Sequence, residues 1–307
     1  VESLPSDIYN DIQNTKWQYE QKSVVDYPTV YQYKIKILHK IFDEIVKPSL
    51  DTNIEFSRFV DQELEWLRPY GLFTILRDKY KTKDFHSWPK YSTITRREIN
   101  SQAANYSEEL KFIYWVQYIC DKQFKEAREY CELHGVALQG EFQINADYNS
   151  VETWSSPNYF RMDMSSGAPP YENWGVPSYD WDAIEEDHFH WLELRFRRMS
   201  DFYHSISIDH LTNFFRTWEI PNDSCNTGIL GHFNPCSPIV KADLDSKGLV
   251  DLDRYVQPYI RWHLLVSKFG ENEALNVSKH FFNPKYSDKH DDYFTFKKEF
   301  NTERKIE

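Results

Sequence analysis

The sequence predicts an α/β fold in which a large helical N-terminal region leads into short parallel strands. Three observations carry this. Helical apolar spacing dominates residues 1–135. Two strand-like runs follow, VALQGEFQI (136–144) and SISID (205–209). A second helical repeat lies between them, and strand, helix, strand with a right-handed crossover is a parallel βαβ unit.

Taken in order, 31–46 reads as a helix ended by Pro48. Asn53–Asp78 reads as shorter helices broken at Pro69, and Tyr80–Thr93, polar and rich in Lys and Tyr, as a loop. Asn105–His134 reads as one long helix. In it Ile113, Val116, Cys120, Phe124, Ala127 and Cys131 recur at spacings of 3, 4, 4, 3 and 4, which predicts a buried stripe holding two of the four cysteines. Gly135 is placed to stop this helix in the left-handed conformation. Residues 145–179, rich in Pro, Gly, Ser and Asn, read as a long irregular excursion. A second helix is expected from Asp180, with Phe189, Leu192, Phe196, Met199 and Tyr203 on its core face.

Bulk properties narrow the function. A chain of 307 residues can bury a sizeable core. A net charge of −12 argues against nucleic-acid or anionic-membrane partners. No apolar run is long enough to span a bilayer, and VESLPSDIYNDIQ has neither the basic start nor the apolar centre of a secretory leader. Four cysteines are too few for a disulfide framework, so the expected compartment is the cytoplasm. Aromatics make up 17% of the chain. Their flat faces suit sugar stacking, although core packing uses the same rings. His188 and His190 lack the spacing and third ligand of a metal site, so no metal and no cofactor is expected. Glu185, Glu186 and Asp187 are expected in the first turn of their helix, and RFRR (195–198) on a solvated helix face.

Alternation along the strands places candidate chemistry. Gln139, Glu141 and Gln143 share one face of the first strand, and Ser205, Ser207 and Asp209 one face of the second. The excursion follows the C-terminal end of the first strand, which in parallel α/β barrels is the active-site end. Two carboxylates, Glu141 and Asp209, then fall at the same end of two strands. Such a pair suits acid, base or nucleophilic work on glycosidic bonds; helix capping and solvated strand tips are the competing readings.

Several runs of residues resemble glycoside hydrolase family 77, the amylomaltases or 4-alpha-glucanotransferases, and within it the plant-type disproportionating enzymes. They are NSVETWSSPNYFRMDMSSGAPP (149–170), NWGVPSYDW (173–181) and IDHLTNFFRTWEIP (208–221). EWLRPYGLFTILRD (65–78), DLDRYVQPYI (251–260), KFGENEAL (268–275) and FTFKKEFNTERKIE (294–307) extend the resemblance over nearly the whole chain. It implies a retaining transglycosylase on a (β/α)8 TIM barrel that moves glucosyl units between alpha-1,4-glucans, or from maltose to glycogen, without a cofactor. Residues 1–135 would be a helical subdomain inserted in the barrel. Residues 136–221 would hold barrel strands 3 and 4 with an active-site loop, and 222–307 part of an insertion after strand 4. The family's nucleophile motif falls on Ser207, Ile208, Asp209 and His210. This makes Asp209 the nucleophile and His210 and Trp174 substrate contacts, with Glu141 and Ser207 lining the site.

The chain departs from that pattern at defined places. Ser207 stands where the family has Arg, a cation that lowers a neighbouring carboxylate's pKa and aims it. Glu141 replaces an Asp. Only Tyr171, Glu172 and Asn173 remain of a longer loop. The family's acid/base motif, Gly-Glu-Asp-Leu-Gly, does not occur here. These changes leave a second reading open, a catalytically degenerate relative that binds glucan or scaffolds a partner.

Overall fold

The computed structural model describes residues 4–169, 172–222, 231–237, 239–249, 260–285, 293–301 and 305. The chain divides into two compact units. One comprises Val1–Glu141, Asn149–Ser156 and Asp187–Ser207; the other Phe142–Tyr148, Pro157–Glu186 and Ile208–Glu307.

The first unit is mainly helical. Helices α1 (Ser6–Glu20) and α2 (Tyr27–Ile41) open it, and the Asp26 carboxylate accepts the Thr29 N–H to cap α2. Pro48 does not end this helical run. The chain passes through a π-turn (Phe42–Val46) into α3 (Lys47–Leu50), which holds Pro48 near its start. Helix α4 (Ile54–Tyr80), capped by Asn53, runs straight through Pro69. An internal proline costs about 3 kcal/mol. Leu67, Leu72, Phe73 and Leu76 are buried around it, at about 1.5–3 kcal/mol each, and outweigh that cost. The following loop is largely irregular, as expected, yet it sends Phe85 and Trp88 into a cluster with Leu72, Phe73, Leu76, Ile99 and Trp154.

Helix α5 (Arg96–Asn105) starts at a Thr95–Glu98 capping box, a signature the sequence carries openly. Helix α6 follows from Ser107 to Leu133. Its buried face is Leu110, Trp115, Tyr118 and Asp121, while Cys120 and Phe124 are exposed. The expected stripe is therefore wrong by a rotation of the helix. Two apolar stripes overlap on α6, and the aromatic one packs against Phe42, Leu50, Phe56, Phe59 and Leu67. Gly135 ends the helix as expected: its φ is 69°, and the Gly135 and Val136 N–H groups bond to the Glu132 and Cys131 carbonyls.

The helix expected from Asp180 is two. Helix α8 (Trp181–Glu186) and helix α9 (His190–Ser200) are separated where His188 and Phe189 take positive φ of 54° and 59°. Asp187 accepts the Trp191 N–H and so starts α9, while Glu185 and Glu186 close α8 rather than open a helix. Phe189 is exposed instead of lying on a core stripe. Arg198 is not on a solvated face either. It pairs with Asp121 at 2.7 Å, Glu63 at 3.2 Å and Asp201 at 3.3 Å, and lies over the Phe202 ring.

The two predicted strands form, as β1 (Gln139–Phe142) and β4 (Ser205–Ile208), and they pair in a two-stranded sheet. In β1 the alternation holds: Gly140 and Phe142 are buried, Gln139 and Glu141 exposed. In β4 it does not, since Ile208 is exposed. No barrel closes among the described residues.

Residues 145–179 are far more ordered than their composition predicts. Helix α7 (Val151–Ser155) delivers Trp154 to the first unit's core. In the second unit β2 (Phe160–Ala168) and β3 (Glu172–Tyr179) form an antiparallel hairpin with Phe160 opposite Tyr179 and Gly167 opposite Asn173. Gly175 and Pro177 mark a stretch of irregular register within it instead of ending it. Strands β5 (Thr217–Pro221) and β6 (His232–Asn234) complete a sheet of order β3-β2-β5-β6.

A further three-stranded sheet of β7 (Ile260–Arg261), β9 (Tyr293–Phe296) and β8 (Phe282–Lys285) lies in the same unit. It packs Phe282 and Phe294 against Leu265 and Ala274 of helices Trp262–Phe269 and Glu271–Phe281. The KFGENEAL run spans the break between those helices, at Gly270. Pro170, Tyr171, most of DLDRYVQPYI and residues 302–304 lie outside the described residues. No described helix is long and apolar enough to cross a membrane.

Candidate active site

Asp209 follows β4 directly, and its carboxylate is open to solvent, with 63% of the side chain exposed. The structure answers the capping alternative. Oδ1 accepts the N–H of the next residue, His210, at 2.9 Å, and the short helical turn that follows, Leu211–Phe214, has no side-chain cap. Oδ2 faces the His210 imidazole Nε2 at 3.5 Å. Among the described residues His210 is the only ion-pair partner of Asp209, and no Lys or Arg takes that place.

The turn is held from behind. His210 adopts φ 46°, in the left-handed region that non-glycine residues seldom enter, a mark of functional sites. Its carbonyl accepts the Asn213 N–H at 2.9 Å, and the buried Thr217 hydroxyl donates to the Asn213 carbonyl at 3.3 Å. Phe214 packs on Phe142 and Trp181, with centroids 6.2 and 5.6 Å apart. Thus the sequence after the strand, Leu-Thr-Asn-Phe-Phe-Arg, serves to brace Asp209 and His210 while leaving both exposed.

Trp174 comes to the same place from β3. Its ring lies 4.7 Å from that of His210, inclined by 41°. The hairpin around it is pinned by Asn173, whose Oδ1 accepts the Ser165 hydroxyl at 2.6 Å and the Gly175 N–H at 2.9 Å. Three of the five residues singled out from the sequence, Asp209, His210 and Trp174, are therefore neighbours. They offer an exposed carboxylate, an imidazole and an indole, which is what a reaction on a sugar needs: a nucleophile, a hydroxyl partner and an apolar face. Glu141, exposed on β1, and Ser207, partly exposed on β4, belong to the first unit. Among the described residues no group of three or more His, Cys, Asp or Glu side chains could hold a metal ion.

Glu219 and its partners are not among the residues singled out from the sequence. Glu219 is 0% exposed on β5. Its Oε1 accepts the Ser178 hydroxyl at 2.7 Å and the Asn234 amide at 3.1 Å. Its Oε2 lies 2.9 Å from Arg161 Nη1 and 3.9 Å from His232 Nε2. The buried Glu in the Trp-Glu pair was visible in the sequence; its partners come from three other strands. Tyr148 is a second such residue: its hydroxyl donates to the Met164 carbonyl, takes part in a hydrogen bond with Asn222, and burial raises its pKa.

The profile of glycoside hydrolase family 77, 4-alpha-glucanotransferase, matches residues 2–301. The 4-alpha-glucanotransferase DPE2 of Oryza sativa subsp. japonica is 34% identical over 314 residues, covering 99% of this chain and 32% of the rice protein. The 4-alpha-glucanotransferase of Chlamydia pneumoniae is 30% identical over 200 residues, 63% of this chain and 38% of its own. The chain thus spans about a third of the length of these curated relatives. Among solved structures, an amylomaltase from Streptococcus agalactiae in complex with acarbose superposes with a TM-score of 0.62 at 24% identity, over 83% of this chain and 51% of that one. An amylomaltase from Corynebacterium glutamicum gives 0.60 at 20% identity, over 76% and 32%. With its exposed carboxylate, imidazole and indole set on an amylomaltase-like fold, the chain belongs to glycoside hydrolase family 77, the 4-alpha-glucanotransferases.

Proposed function

We propose that the protein carrying this chain is a retaining 4-alpha-glucanotransferase that moves glucosyl units between alpha-1,4-glucans or from maltose to glycogen. Asp209 attacks the anomeric carbon of the donor and forms a covalent glycosyl-enzyme. The leaving sugar takes its proton from an acid outside these residues. The 4-hydroxyl of an acceptor glucan then gives its proton to that same group, now acting as base, and displaces Asp209 from the anomeric carbon. Trp174 offers its face to a sugar ring, and His210 binds a hydroxyl beside the reacting carbon. By the family pattern Glu141 and Ser207 belong to the substrate-binding set, on β1 and β4, the proposed third and fourth barrel strands. Residues 1–135 are the helical subdomain, 136–221 the catalytic strands with their loop, and 222–307 part of an insertion. Three free cysteines among the described residues fit a cytoplasmic setting.

The observation that carries the reading is Asp209, unburied and braced beside Trp174 and His210. A second reading, glucan binding without turnover, draws on one observation: with Ser207 two residues before it, Asp209 has no Lys or Arg partner among the described residues. Glucose release from maltose plus glycogen by the full-length protein separates the two. Transfer that falls at least about a thousandfold in Asp209→Asn supports the enzyme. No transfer by the wild type, with glycogen still bound, supports the binding relative and overturns the first reading.

A further inference from the structure

The Glu219 cluster has a shape that packing alone does not explain. A carboxylate with 1% side-chain exposure sits in the middle of a four-stranded sheet. Burying it is costly unless it is paired and hydrogen-bonded. Ser178 and Asn234 satisfy Oε1 from the two edge strands. Oε2 accepts no hydrogen bond of good geometry, although the Arg161 guanidinium lies 2.9 Å away and His232 3.9 Å away. Both of those groups reach solvent: Arg161 is 30% and His232 49% exposed. A buried carboxylate thus lies beside two basic side chains whose outer faces remain open. Among the described residues Glu219 is the charged group that His232 faces.

Strand register places this cluster relative to Trp174. Gly167 of β2 pairs with Asn173 on one side and with Trp218 on the other, and the next residues in register are Ser166, Glu219 and His232. Trp174 follows Asn173 on β3, at the far edge of the sheet from β6. Three strand steps of about 4.8 Å separate those edges, or about 14 Å. That is the reach of an oligosaccharide. Beside His232 on β6, Phe233 packs edge-on against Trp218 at 5.0 Å and carries Arg216 on its face at 4.4 Å.

We infer that Glu219 is a positioning residue that presents Arg161 and His232 to the hydroxyls of a bound alpha-glucan, several sugars away from the bond at Asp209. This rests on the glucanotransferase reading for the identity of the ligand, and adds a determinant of chain length to it. Arg161 and His232 contact substrate; Glu219 acts through them. A short donor does not reach the cluster, so its contribution grows with the length of the glucan.

The test compares maltose with maltoheptaose in the full-length protein carrying His232→Ala or Glu219→Gln. For His232→Ala we expect KM for maltoheptaose to rise about tenfold, with kcat within about twofold and KM for maltose unchanged. Glu219→Gln, with its fold checked by thermal melting, changes KM in the same direction. If Glu219→Gln does not fold, His232→Ala decides alone. Equal effects on both sugars, or none on maltoheptaose, overturn the inference. If the wild type transfers nothing, the proposed function fails, and calorimetric titration with maltoheptaose reads the inference separately. Weaker binding by His232→Ala supports it; unchanged binding, or no binding by the wild type, overturns it.

Discussion

Arg198 joins three helices of the first unit, and its removal has a calculable cost. The guanidinium pairs with Asp121 of α6 at 2.7 Å, Glu63 of α4 at 3.2 Å and Asp201 at 3.3 Å. It also lies over the rings of Phe202, Trp66 and Phe59 at 4.6, 5.7 and 6.0 Å. Two of those carboxylates are mostly buried, with side-chain exposures of 9% for Asp121 and 19% for Glu63. Arg198→Ala strands both. Removing one partner of a buried pair costs about 3–5 kcal/mol, because the remaining charge is left without compensation. Lys125 stays within 3.2 Å of Asp121 and keeps the loss toward the lower end. For a unit of this size the loss lowers Tm by roughly 6–20 °C. Thermal unfolding of the full-length protein, with hydrogen exchange at α6 amides to localise the effect, measures it. Arg198→Met combined with Glu63→Gln and Asp121→Asn removes the stranded charges and should restore most of the loss. A fall below about 1 kcal/mol for Arg198→Ala, or no recovery in the combined variant, would refute the electrostatic reasoning.

Other outcomes follow from the same structure. Burial pushes the Tyr114 hydroxyl up to about 12, against a smaller opposing pull from Arg68. Its folded pKa lies above the unfolded value near 10, so its stabilising effect is complete below pH 10 and is lost as pH rises toward 12; ultraviolet titration with a parallel melt should show both changes. Glu98 titrates the other way, because the Thr95 hydroxyl and N–H hold its carboxyl below the usual range. The capping box should persist above that range and be lost only as pH falls below it, through the lowered folded value, seen as faster hydrogen exchange in the first turn of α5. On β1, a Cβ at Gly140 would lie 2.4 Å from the Tyr203 ring. Gly140→Val should therefore destabilise by at least about 1–3 kcal/mol in a urea melt, while an exposed change such as Gln139→Thr stays within about 0.5 kcal/mol.

What was legible in the sequence depended on range. Gly135 acts through neighbours within five residues, so its meaning is local; the capping box at Thr95 is equally local, yet helix α5 was not among the expected elements. The strand before Asp209 was legible because Ile206 and Ile208 mark it, but not the left-handed turn at His210, which Asn213 and Thr217 enforce from further along. The Trp174 hairpin was hidden because Pro and Gly usually break strands, and here they sit at its turn and its irregular register. Pro69 misled for the converse reason: local propensity disfavours a helix there, and the burial of Leu67, Leu72, Phe73 and Leu76 overrides it. The Glu219 cluster was beyond reach, since Arg161 lies 58 positions away along the chain and only cross-strand register brings the two together.

The central claim is that Asp209 forms a bond to the sugar. A fluorinated glucosyl donor that loads retaining enzymes and leaves them slowly traps that species in the full-length protein, and peptide mass mapping locates it. The expected result is a glucosyl adduct on the peptide carrying Asp209, absent from Asp209→Asn. Transfer activity with the adduct on another carboxylate, or with no covalent adduct at all, would contradict it.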